Sequence, residues 1–270
     1  MAEQGKAAEG RIRIGIGGWT FPPWRGRFYP AGLAQAKELA YAAGQLTAIE
    51  INGTYYGSQK PESFQRWHDE TPDGFVFTLK GPRFTTNRRV LAEAGPSIER
   101  FVTGGITRLG AKLGPINWQF MPTKSFEPED FAAFLSLLPR DCDGITLRHA
   151  VEVRHPSFAC PEFVALARRH GVAVITAGDS PYPQIADPTA PFAYLRIMGT
   201  TEMAGGYDAA AIARWAARAR DLAEGRVPED LACAGVPQPP GPPRDVFLFV
   251  IGGFKEANPA AARALIAACA

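Results

Sequence analysis

The chain has 270 residues, of which 46% are hydrophobic and 21% are charged, and its formal net charge at pH 7 is +2. This hydrophobic content is enough for a full core and argues against wholesale disorder. The small net charge disfavours a protein that coats nucleic acid through general electrostatic attraction. The polar first ten residues resemble no signal peptide, and no apolar run approaches the ~18 residues of a membrane helix. We therefore expect a disordered tail over residues 1–10, one domain over residues 11–270 and a cytoplasmic location.

Eight strand-like apolar runs follow one another along the chain. They cover residues 12–17, 47–52, 75–80, 114–120, 147–153, 172–177, 192–197 and 246–251. Helical patterns lie between most of them, over residues 34–45, 61–70, 96–109, 128–138, 161–170, 208–224 and 259–268. Several of these patterns begin with proline in the first turn or end at glycine. Two Pro-rich stretches, residues 180–191 and 225–244, are predicted as loops, and the first of them replaces a sixth helix.

The regular alternation of strand and helix predicts the α/β class, as a single (β/α)8 TIM-like barrel with parallel strands and one or two helices replaced by loops. An open, doubly wound sheet is the alternative. The run Gly15-Ile16-Gly17-Gly18 follows a strand, but it lacks the third glycine of a dinucleotide fingerprint and no helix opens directly behind it. A Rossmann site is therefore disfavoured.

Polar residues stand late in five of the strand-like runs or directly after them. They are Glu50, Lys80, Glu152, Asp179 and Arg196. Side chains alternate sides along a strand, so the bulky apolar set is predicted to face the helices and the small and polar set the barrel interior. The polar residues then gather at the C-terminal mouth, where barrel enzymes place their chemistry. Because a lone buried charge costs several kcal/mol, these groups are expected to be paired or functional.

The predicted catalytic set consists of Glu50, Glu152, Lys80, Asp179 and His155. Either glutamate can serve as an acid or a base, and His155 is either a general base or a residue that orients its loop. Barrel geometry leaves a gap on the order of 6–9 Å between the two glutamates, which overlaps the ~6.5–9.5 Å spacing of inverting glycosidases. The same gap suits a metal ion, or an ion-pair network in which the glutamates pair with Arg196 and Lys80.

Four of these side chains, Glu50, Glu152, Asp179 and His155, would be chemically reasonable ligands for a hard or borderline divalent ion. No local ligand spacing supports such a site, so no metal is predicted, and no cofactor is specified. The sequence contains neither a P-loop nor a Gly-x-Ser-x-Gly elbow, which disfavours a nucleotide hydrolase and a nucleophile-elbow hydrolase.

The predicted substrate-binding set consists of Trp19, Asn52, Tyr55, Arg83, Gln119, Arg154 and Arg196. Arg83 belongs to a loop, residues 80–89, whose cations can hold a phosphate or carboxylate, or can form a solvated basic loop. Trp19 and Tyr55 belong to aromatic groups in the mouth loops. Such aromatic side chains can stack on sugars or bases, or they can pack together as a small hydrophobic cluster apart from the main core.

Taken together, these segments resemble the YecE-like family, domain of unknown function seventy-two, from Ile12 to about Trp215. The resemblance rests on Gly17-Gly18-Trp19 with Trp24 and Phe28-Tyr29-Pro30, Glu50-Ile51-Asn52-Gly53-Thr54-Tyr55-Tyr56, Lys80-Gly81-Pro82, Leu113-Gly114-Pro115 with Gln119, Glu152-Val153-Arg154-His155-Pro156-Ser157, Asp179-Ser180 and Tyr194-Leu195-Arg196. It implies a TIM-like barrel with a polar cleft at its mouth and no particular reaction.

The chain departs from the family pattern at two places. Where the family usually has Arg-Leu-His-Gly, this chain has Arg196-Ile197-Met198-Gly199, and where the family usually has Tyr-Phe-Asn-Asn, it has Phe249-Val250-Ile251-Gly252. A histidine and a pair of asparagines are therefore missing from the cleft that the resemblance implies. This indicates a divergent member with another ligand or without the chemistry of those groups.

Three functions follow from these observations. The first is an enzyme that acts by acid/base chemistry on a small polar or anionic substrate, sugar-like or phosphate-like, with Lys80 and Arg196 as electrostatic clamps. The second is a non-catalytic small-molecule binding or regulatory barrel. The third is a nucleic-acid processing protein that uses the loop of residues 83–89 and the aromatic faces, and the low net charge makes it the least favoured. The predicted partner is a small molecule at the mouth. No membrane partner is predicted, and no oligomeric state.

Overall fold

The computed structural model of the protein describes residues 10–270. The predicted disordered tail lies outside the described residues except for Gly10. None of the helices between Gly10 and Ala270 combines the length and the apolar character that crossing a membrane would require.

A sheet of nine parallel strands forms the centre of the molecule. Its strands are β1 (Ile12–Gly17), β2 (Ala48–Ile51), β3 (Val76–Lys80), β4 (Leu113–Gln119), β5 (His149–Glu152), β6 (Ala173–Val174), β7 (Thr176–Gly178), β8 (Phe192–Ile197) and β9 (Asp245–Val250). They are hydrogen-bonded in the order β6-β5-β4-β3-β2-β1-β9-β8-β7. A short antiparallel hairpin of Asp141–Cys142 with Ile145–Thr146 lies outside this sheet.

The sheet closes into a barrel at Ile175, the single residue between β6 and β7. β6 pairs with β5, whereas β7 pairs with β8, so the two halves of one predicted strand belong to opposite ends of the sheet. The Ile175 N–H donates to the Val151 carbonyl at 2.9 Å and extends the β5 pairing to the point of the switch. All eight predicted strands therefore form, and the predicted (β/α)8 architecture is confirmed with a sixth strand that changes partners.

Nine α-helices accompany the strands in the described part of the chain. They are α1 (Glu38–Ala43), α2 (Gly53–Tyr56), α3 (Pro61–Asp69), α4 (Arg83–Thr86), α5 (Gly95–Val102), α6 (Pro128–Ser136), α7 (Pro161–His170), α8 (Ala209–Ala223) and α9 (Asn258–Cys269). The stretches 180–191 and 225–244 contain no helix, as predicted. Short 3-10 helices cover Pro22–Trp24, Gln35–Lys37, Leu91–Ala94, Ile106–Lys112, Pro156–Phe158 and Lys255–Ala257.

One predicted helix, over residues 96–109, is broken in the structure. α5 ends at Val102, and a 3-10 helix starts at Ile106. The break falls at Gly105, whose φ of 98° is a conformation that glycine tolerates and that ends helices. The two short helices α2 and α4 were not predicted, and each follows a barrel strand closely and carries mouth residues.

Two buried clusters confirm that side chains alternate between the two sides of the strands, but the expectation of a small and polar interior is wrong on β8 and β9. One cluster packs between strands and helices and includes Ile49, Phe77, Val151 and Leu195. The other fills the barrel interior. Its members are Ala48, Val76, Ala150, Ala173, Ile175, Phe192, Tyr194, Phe247, Phe249 and Ile251. Large aromatic residues of β8 and β9 thus fill the interior beside small alanines of the other strands, a packing that follows from the close-packed nature of protein cores. The barrel is solid up to the polar layer at its mouth.

Candidate functional site

A layer of polar side chains lies above the aromatic interior, at the C-terminal ends of five strands. Together with Arg154, which follows β5, we call this set the mouth cluster. Its members are Glu50 on β2, Lys80 on β3, Gln119 on β4, Glu152 on β5, Arg154 and Arg196 on β8. Six of the predicted site residues thus come together, because parallel strands deliver their last inward-facing residues to one rim.

Arg196 bridges the two buried glutamates of the mouth cluster. Its Nη2 lies 2.9 Å from Glu50 Oε1, and its Nη1 contacts Glu152 Oε2. Both carboxylates are 0% exposed. The ion-pair network therefore forms through Arg196, and its guanidinium occupies the gap between the glutamates that a substrate water or a metal ion would otherwise need.

Glu50 is held by further hydrogen bonds from the barrel interior. Its Oε2 accepts from the Tyr194 hydroxyl at 2.6 Å and from Asn117 Nδ2 at 3.2 Å. The Tyr194 hydroxyl in turn lies 2.9 Å from Thr78 Oγ1. Burial and the Glu50 charge raise the pKa of Tyr194 well above its usual value, so this phenol is a permanent donor. Glu50 is thus fixed from below and enclosed.

Glu152 is ionised despite its complete burial. Burial opposes the charged form, but Arg196, Arg154 and Lys80 together hold the pKa of this carboxyl below its ordinary value. Arg154 Nε donates to Glu152 Oε1 at 2.6 Å, while Arg196 contacts Oε2. Both carboxylate oxygens therefore face guanidinium groups, an arrangement that orients the two arginines.

Lys80 differs from the arginines because it forms no ion pair with any carboxylate between residues 10 and 270. Its Nζ donates to Gln119 Oε1 at 2.8 Å and lies 3.9 Å from the centroid of the Tyr55 ring. The residue is only 6% exposed. Burial and the nearby Arg196 charge lower the pKa of Lys80 to about 8. The amine is therefore poised to change protonation near neutral pH.

Three cations converge on the single neutral oxygen of Gln119. Besides Lys80, Arg154 Nη2 donates to Gln119 Oε1 at 3.0 Å and Arg196 Nη1 at 3.3 Å. Three cations against two buried carboxylates leave the mouth cluster with an excess of positive charge when Lys80 is protonated. Arg154 is its outermost member, since its side chain is 17% exposed, compared with 6% for Arg196 and 0% for both carboxylates. The accessible side of the cluster is therefore electropositive.

Tyrosines flank the cations at the rim. Tyr55 on α2 covers Lys80, and the Tyr182 ring lies 4.4 Å from the Arg154 guanidinium carbon, with its hydroxyl 3.3 Å from Nη1. Such cation–π contacts favour the charged forms at partly buried sites. The predicted binding residue Arg83 lies further out, exposed, with its guanidinium 5.8 Å from the Tyr56 ring.

The backbone directly after Lys80 requires a glycine. The place that a Cβ atom would take at Gly81 is filled by the Trp118 ring, whose nearest atom would lie only 2.3 Å away. Trp118 is itself fixed by a hydrogen bond from its Nε1 to His149 Nδ1 at 3.1 Å. The tight contact at Gly81 therefore fixes the direction in which the chain leaves β3 and, with it, the position of Lys80.

Trp19 and Asn52 line a cleft of about 320 Å³ beside the mouth cluster. The other lining residues are Gly17, Gly18, Thr20, Ile51, Gly53, Gln59, Trp67 and Lys255. Trp19 contacts Trp67 edge to face with ring centroids 5.2 Å apart. Asn52 follows β2 two residues after Glu50, so this cleft adjoins the mouth cluster and is not part of it.

Asp179 and His155 find their partners outside the mouth cluster. The Asp179 carboxylate is exposed and accepts from Trp215 Nε1 and from the Tyr207 hydroxyl, both at 2.8 Å. His155 Nδ1 accepts from the Ser157 N–H at 3.2 Å and caps the 3-10 helix that follows. Across residues 10–270, no group of three or more His, Cys, Asp and Glu side chains is placed to hold a metal ion.

Sequence reasoning did not select four residues that support the mouth cluster: Thr78, Asn117, Tyr182 and Tyr194. Thr78 and Asn117 have the same strand parity as Lys80 and Gln119, so extending the alternation argument by one step would have found them. Tyr182 lies in the loop after β7, where no periodic pattern exists to reveal which way a side chain points.

The two departures from the family pattern are neighbours in space. A Cβ atom at Gly252 would lie 3.3 Å from the Met198 Cβ, and Gly252 has a φ of 79°. Met198 is partly buried against the interior cluster that contains Ile251. The β8–β9 side of the mouth is therefore apolar beyond Arg196, opposite the charged side formed by β2 to β5.

Comparisons of this chain with a family model and with curated proteins agree with one another. The family model described as protein of unknown function DUF72 matches residues 13–268. The chain is 30% identical over 150 residues to the UPF0759 protein YecE of Escherichia coli strain K12, and the match covers 54% of this chain and 50% of that protein. The chain thus spans about half the length of the curated relatives it matches.

Solved structures share the fold. A DUF72 family protein from Thermotoga maritima superposes with a TM-score of 0.70 at 23% identity and covers 95% of this chain and 97% of its own. Another, from Enterococcus faecalis, has a TM-score of 0.66 at 16% identity, covering 96% and 97%. A fusion protein of a xylose isomerase-like TIM barrel and a 4-hydroxyphenylpyruvate dioxygenase has a TM-score of 0.53 at 15% identity, covering 97% and 43%. At these identities the likeness establishes the barrel alone.

Proposed function

The chain belongs to the DUF72 family, and from this premise we propose that it is an enzyme that acts by acid/base chemistry on a small anionic substrate at the barrel mouth. The observation that supports the proposal most strongly is the convergence of Lys80, Arg154 and Arg196 on one neutral oxygen of Gln119. Of the three, Lys80 has no carboxylate partner, and because burying such a cation is costly, Lys80 is expected to serve a ligand.

The roles differ from those expected from sequence alone. Lys80 is the proton-transfer group, because its pKa of about 8 lets it both lose and regain a proton near neutral pH. Arg154 and Arg196 bind the anionic group of the substrate, since guanidinium donors suit carboxylates and phosphates. Glu50 and Glu152, both fully buried, position the arginines from below.

A non-catalytic binding barrel is the second candidate function. It is supported by the burial of both glutamates, which keeps the two carboxylates away from a substrate, and by the apolar pair Met198 and Gly252 at the rim. It shares the anion site with the first candidate and differs only in the absence of turnover.

The test has two stages. Binding of inorganic phosphate, malonate and glycolate would be measured by calorimetry, with uncharged glycerol as the ligand control. The Lys80→Met variant should lose most of the affinity, whereas Lys60→Met, a change at an exposed lysine before α3, should retain it. Malonate and glycolate, the two anions that contain carbon, would then be followed by NMR in D2O for exchange of carbon-bound hydrogen.

Hydrogen exchange that depends on Lys80 would support the enzyme. Anion binding without exchange or any other turnover would favour the binding barrel. Equal affinities in the unmodified protein and in Lys80→Met would contradict both. An oligonucleotide added to the same titrations tests nucleic acid as the partner, whose affinity would fall steeply with salt.

A further inference from the structure

Two lysines of the described chain are deeply buried, and their surroundings differ. Lys112 is 5% exposed, and its Nζ donates to the His68 carbonyl and the Thr71 carbonyl, each at 2.6 Å, and to Thr71 Oγ1 at 3.3 Å. Three acceptors match the three protons of an ammonium group. Lys112 is therefore a structural cation whose charge is fully satisfied.

Lys80 has a different environment. Among the described residues its Nζ has one hydrogen-bond acceptor, Gln119 Oε1, and an aromatic face, Tyr55, on another side. The charges that face it are Arg196, Glu50, Glu152 and Arg154, and no carboxylate contacts it directly. An amine near other cations and away from water loses its proton readily, and the neutral form is a nucleophile.

We propose that the Lys80 amine forms an imine with the carbonyl group of a small oxo acid or phosphorylated aldehyde, while the arginines of the mouth cluster bind the anionic group of the same molecule. This inference rests on the proposed function and names its substrate class. The geometry fits a short molecule, because Lys80 Nζ and Arg154 Nη2 meet on the same Gln119 oxygen at 2.8 and 3.0 Å.

The chemistry balances without any further reactant. The neutral amine of Lys80 attacks the carbonyl carbon, and one of its two protons passes from nitrogen to the carbonyl oxygen to give a neutral carbinolamine. Uptake of one proton from solvent by the hydroxyl group and loss of that group as water leave a protonated imine that keeps the remaining N–H. Hydrolysis reverses each step. The protonated imine withdraws electrons from the neighbouring carbon, so carbon-bound hydrogen there becomes acidic and can pass to solvent water. In this form of the acid/base step Lys80 acts through the covalent imine and not as the base.

The burial of Lys80 raises the fraction of neutral amine before the substrate arrives. With a pKa of about 8, about a tenth of the side chain is neutral at pH 7, compared with less than roughly a thousandth for an ordinary lysine. Tyr55, partly exposed on the short helix α2, covers the amine and separates it from solvent.

Reductive trapping tests the inference. The full chain would be incubated at pH 7 with glyoxylate and sodium cyanoborohydride, and the modified lysines identified by peptide mass spectrometry. We expect labelling of Lys80 at least about ten-fold faster than labelling of exposed Lys60, with a rate that saturates with glyoxylate, and no labelling of Lys112. The ratio of Lys80 labelling to Lys60 labelling should be lower with acetaldehyde, which lacks the anionic group, than with glyoxylate. Inorganic phosphate should slow the Lys80 reaction with glyoxylate by competition.

The outcomes separate this inference from the proposed function. If phosphate binds in a Lys80-dependent manner but glyoxylate labels Lys80 no faster than Lys60, the imine is overturned and the anion site stands. If phosphate neither binds nor competes and Lys80 is also unlabelled, both fail. The Lys80→Arg variant, which keeps the positive charge, should retain phosphate binding and lose the fast-labelled site.

Discussion

Arg196 on β8 donates to the Glu50 carboxylate on β2 at 2.9 Å, and these two residues are 146 positions apart in the chain. The contact crosses the barrel and is completed by Glu152 on the other side of the same guanidinium. One buried cation therefore joins three strands of the ring, and the stability of the barrel and the arrangement of its mouth depend on the same group.

The Arg196→Met variant should lose about 3–5 kcal/mol of unfolding free energy, because it leaves two buried carboxylates without their shared partner. Arg196→Lys should lose less, since one of the two pairs can be kept. Urea denaturation followed by circular dichroism would measure both. Arg66→Met, which removes a surface contact to Glu70 of 3.9 Å, should change little. A loss in Arg196→Met no larger than that in Arg66→Met would refute the bridging role.

Glu152 should make the protein sensitive to acid. Its pKa is lower in the folded protein than the ordinary value of 4.5, so its ionised form stabilises the fold at neutral pH. That stabilisation is lost as the pH falls below 4.5 toward the depressed value, since the native carboxylate must then take up a proton. Glu152→Gln should flatten this acid limb in urea titrations between pH 3 and 6. Glu162→Gln, at an exposed position of α7, is the matched control and should leave the limb intact.

The charged form of Lys80, unlike that of Glu152, should destabilise the fold, and this cost should disappear in alkali. Its pKa is about 8 in the folded protein and 10.5 ordinarily, so the unfolded chain binds more protons between these values and stability rises with pH across this window. The rise is on the order of 3 kcal/mol, since each pKa unit corresponds to roughly 1.4 kcal/mol. Lys80→Met should remove the rise and should be more stable than the unmodified protein at pH 7, as expected where a buried charge is kept for function. A less stable Lys80→Met protein at pH 7 would indicate that the lysine has a structural role.

Asp179 is predicted to stabilise the loop after β7 rather than to act on a substrate. Asp179→Ala removes the acceptor of Trp215 and Tyr207 and places alanine at a φ of 51°, and should cost about 1–3 kcal/mol. Asp179→Asn keeps an acceptor oxygen and a residue that tolerates this backbone conformation, so its loss should be smaller. Calorimetric titration with phosphate should give the same affinity for both variants as for the unmodified protein. A large loss of affinity in Asp179→Asn would instead place this carboxylate in the site.

Much of the fold could be predicted from the sequence because period-two and helical patterns report burial directly. The alternation around Glu50 and Glu152 predicted both the interior face and the rim at which these residues meet. The broken helix at Gly105 and the split of the sixth strand at Ile175 were missed, because both depend on backbone geometry and on which neighbour a strand selects.

The roles within the site were harder to predict than its location. Parity places Glu50, Glu152 and Arg196 on one face but does not give their depth. All three are buried, and Arg154 is the charged member of the mouth cluster that reaches the surface. Asp179 follows a strand in the same manner as the other polar residues, yet its backbone conformation turns its carboxylate toward Trp215. Gln119, whose oxygen collects three cations, has no charge that would have marked it in the sequence as the centre of the site.

The central claim, that cations of the mouth cluster bind an anion, is tested most directly by crystals soaked in selenate, whose selenium is located by anomalous scattering. We predict a bound selenate whose oxygens lie within about 3 Å of Lys80 Nζ and Arg154. Its selenium peak should be weakened or lost in crystals of Lys80→Met. Peaks confined to other basic regions, such as the cleft lined by Arg148, Arg168 and Arg169 at the opposite end of the barrel, with none at the mouth, would contradict it.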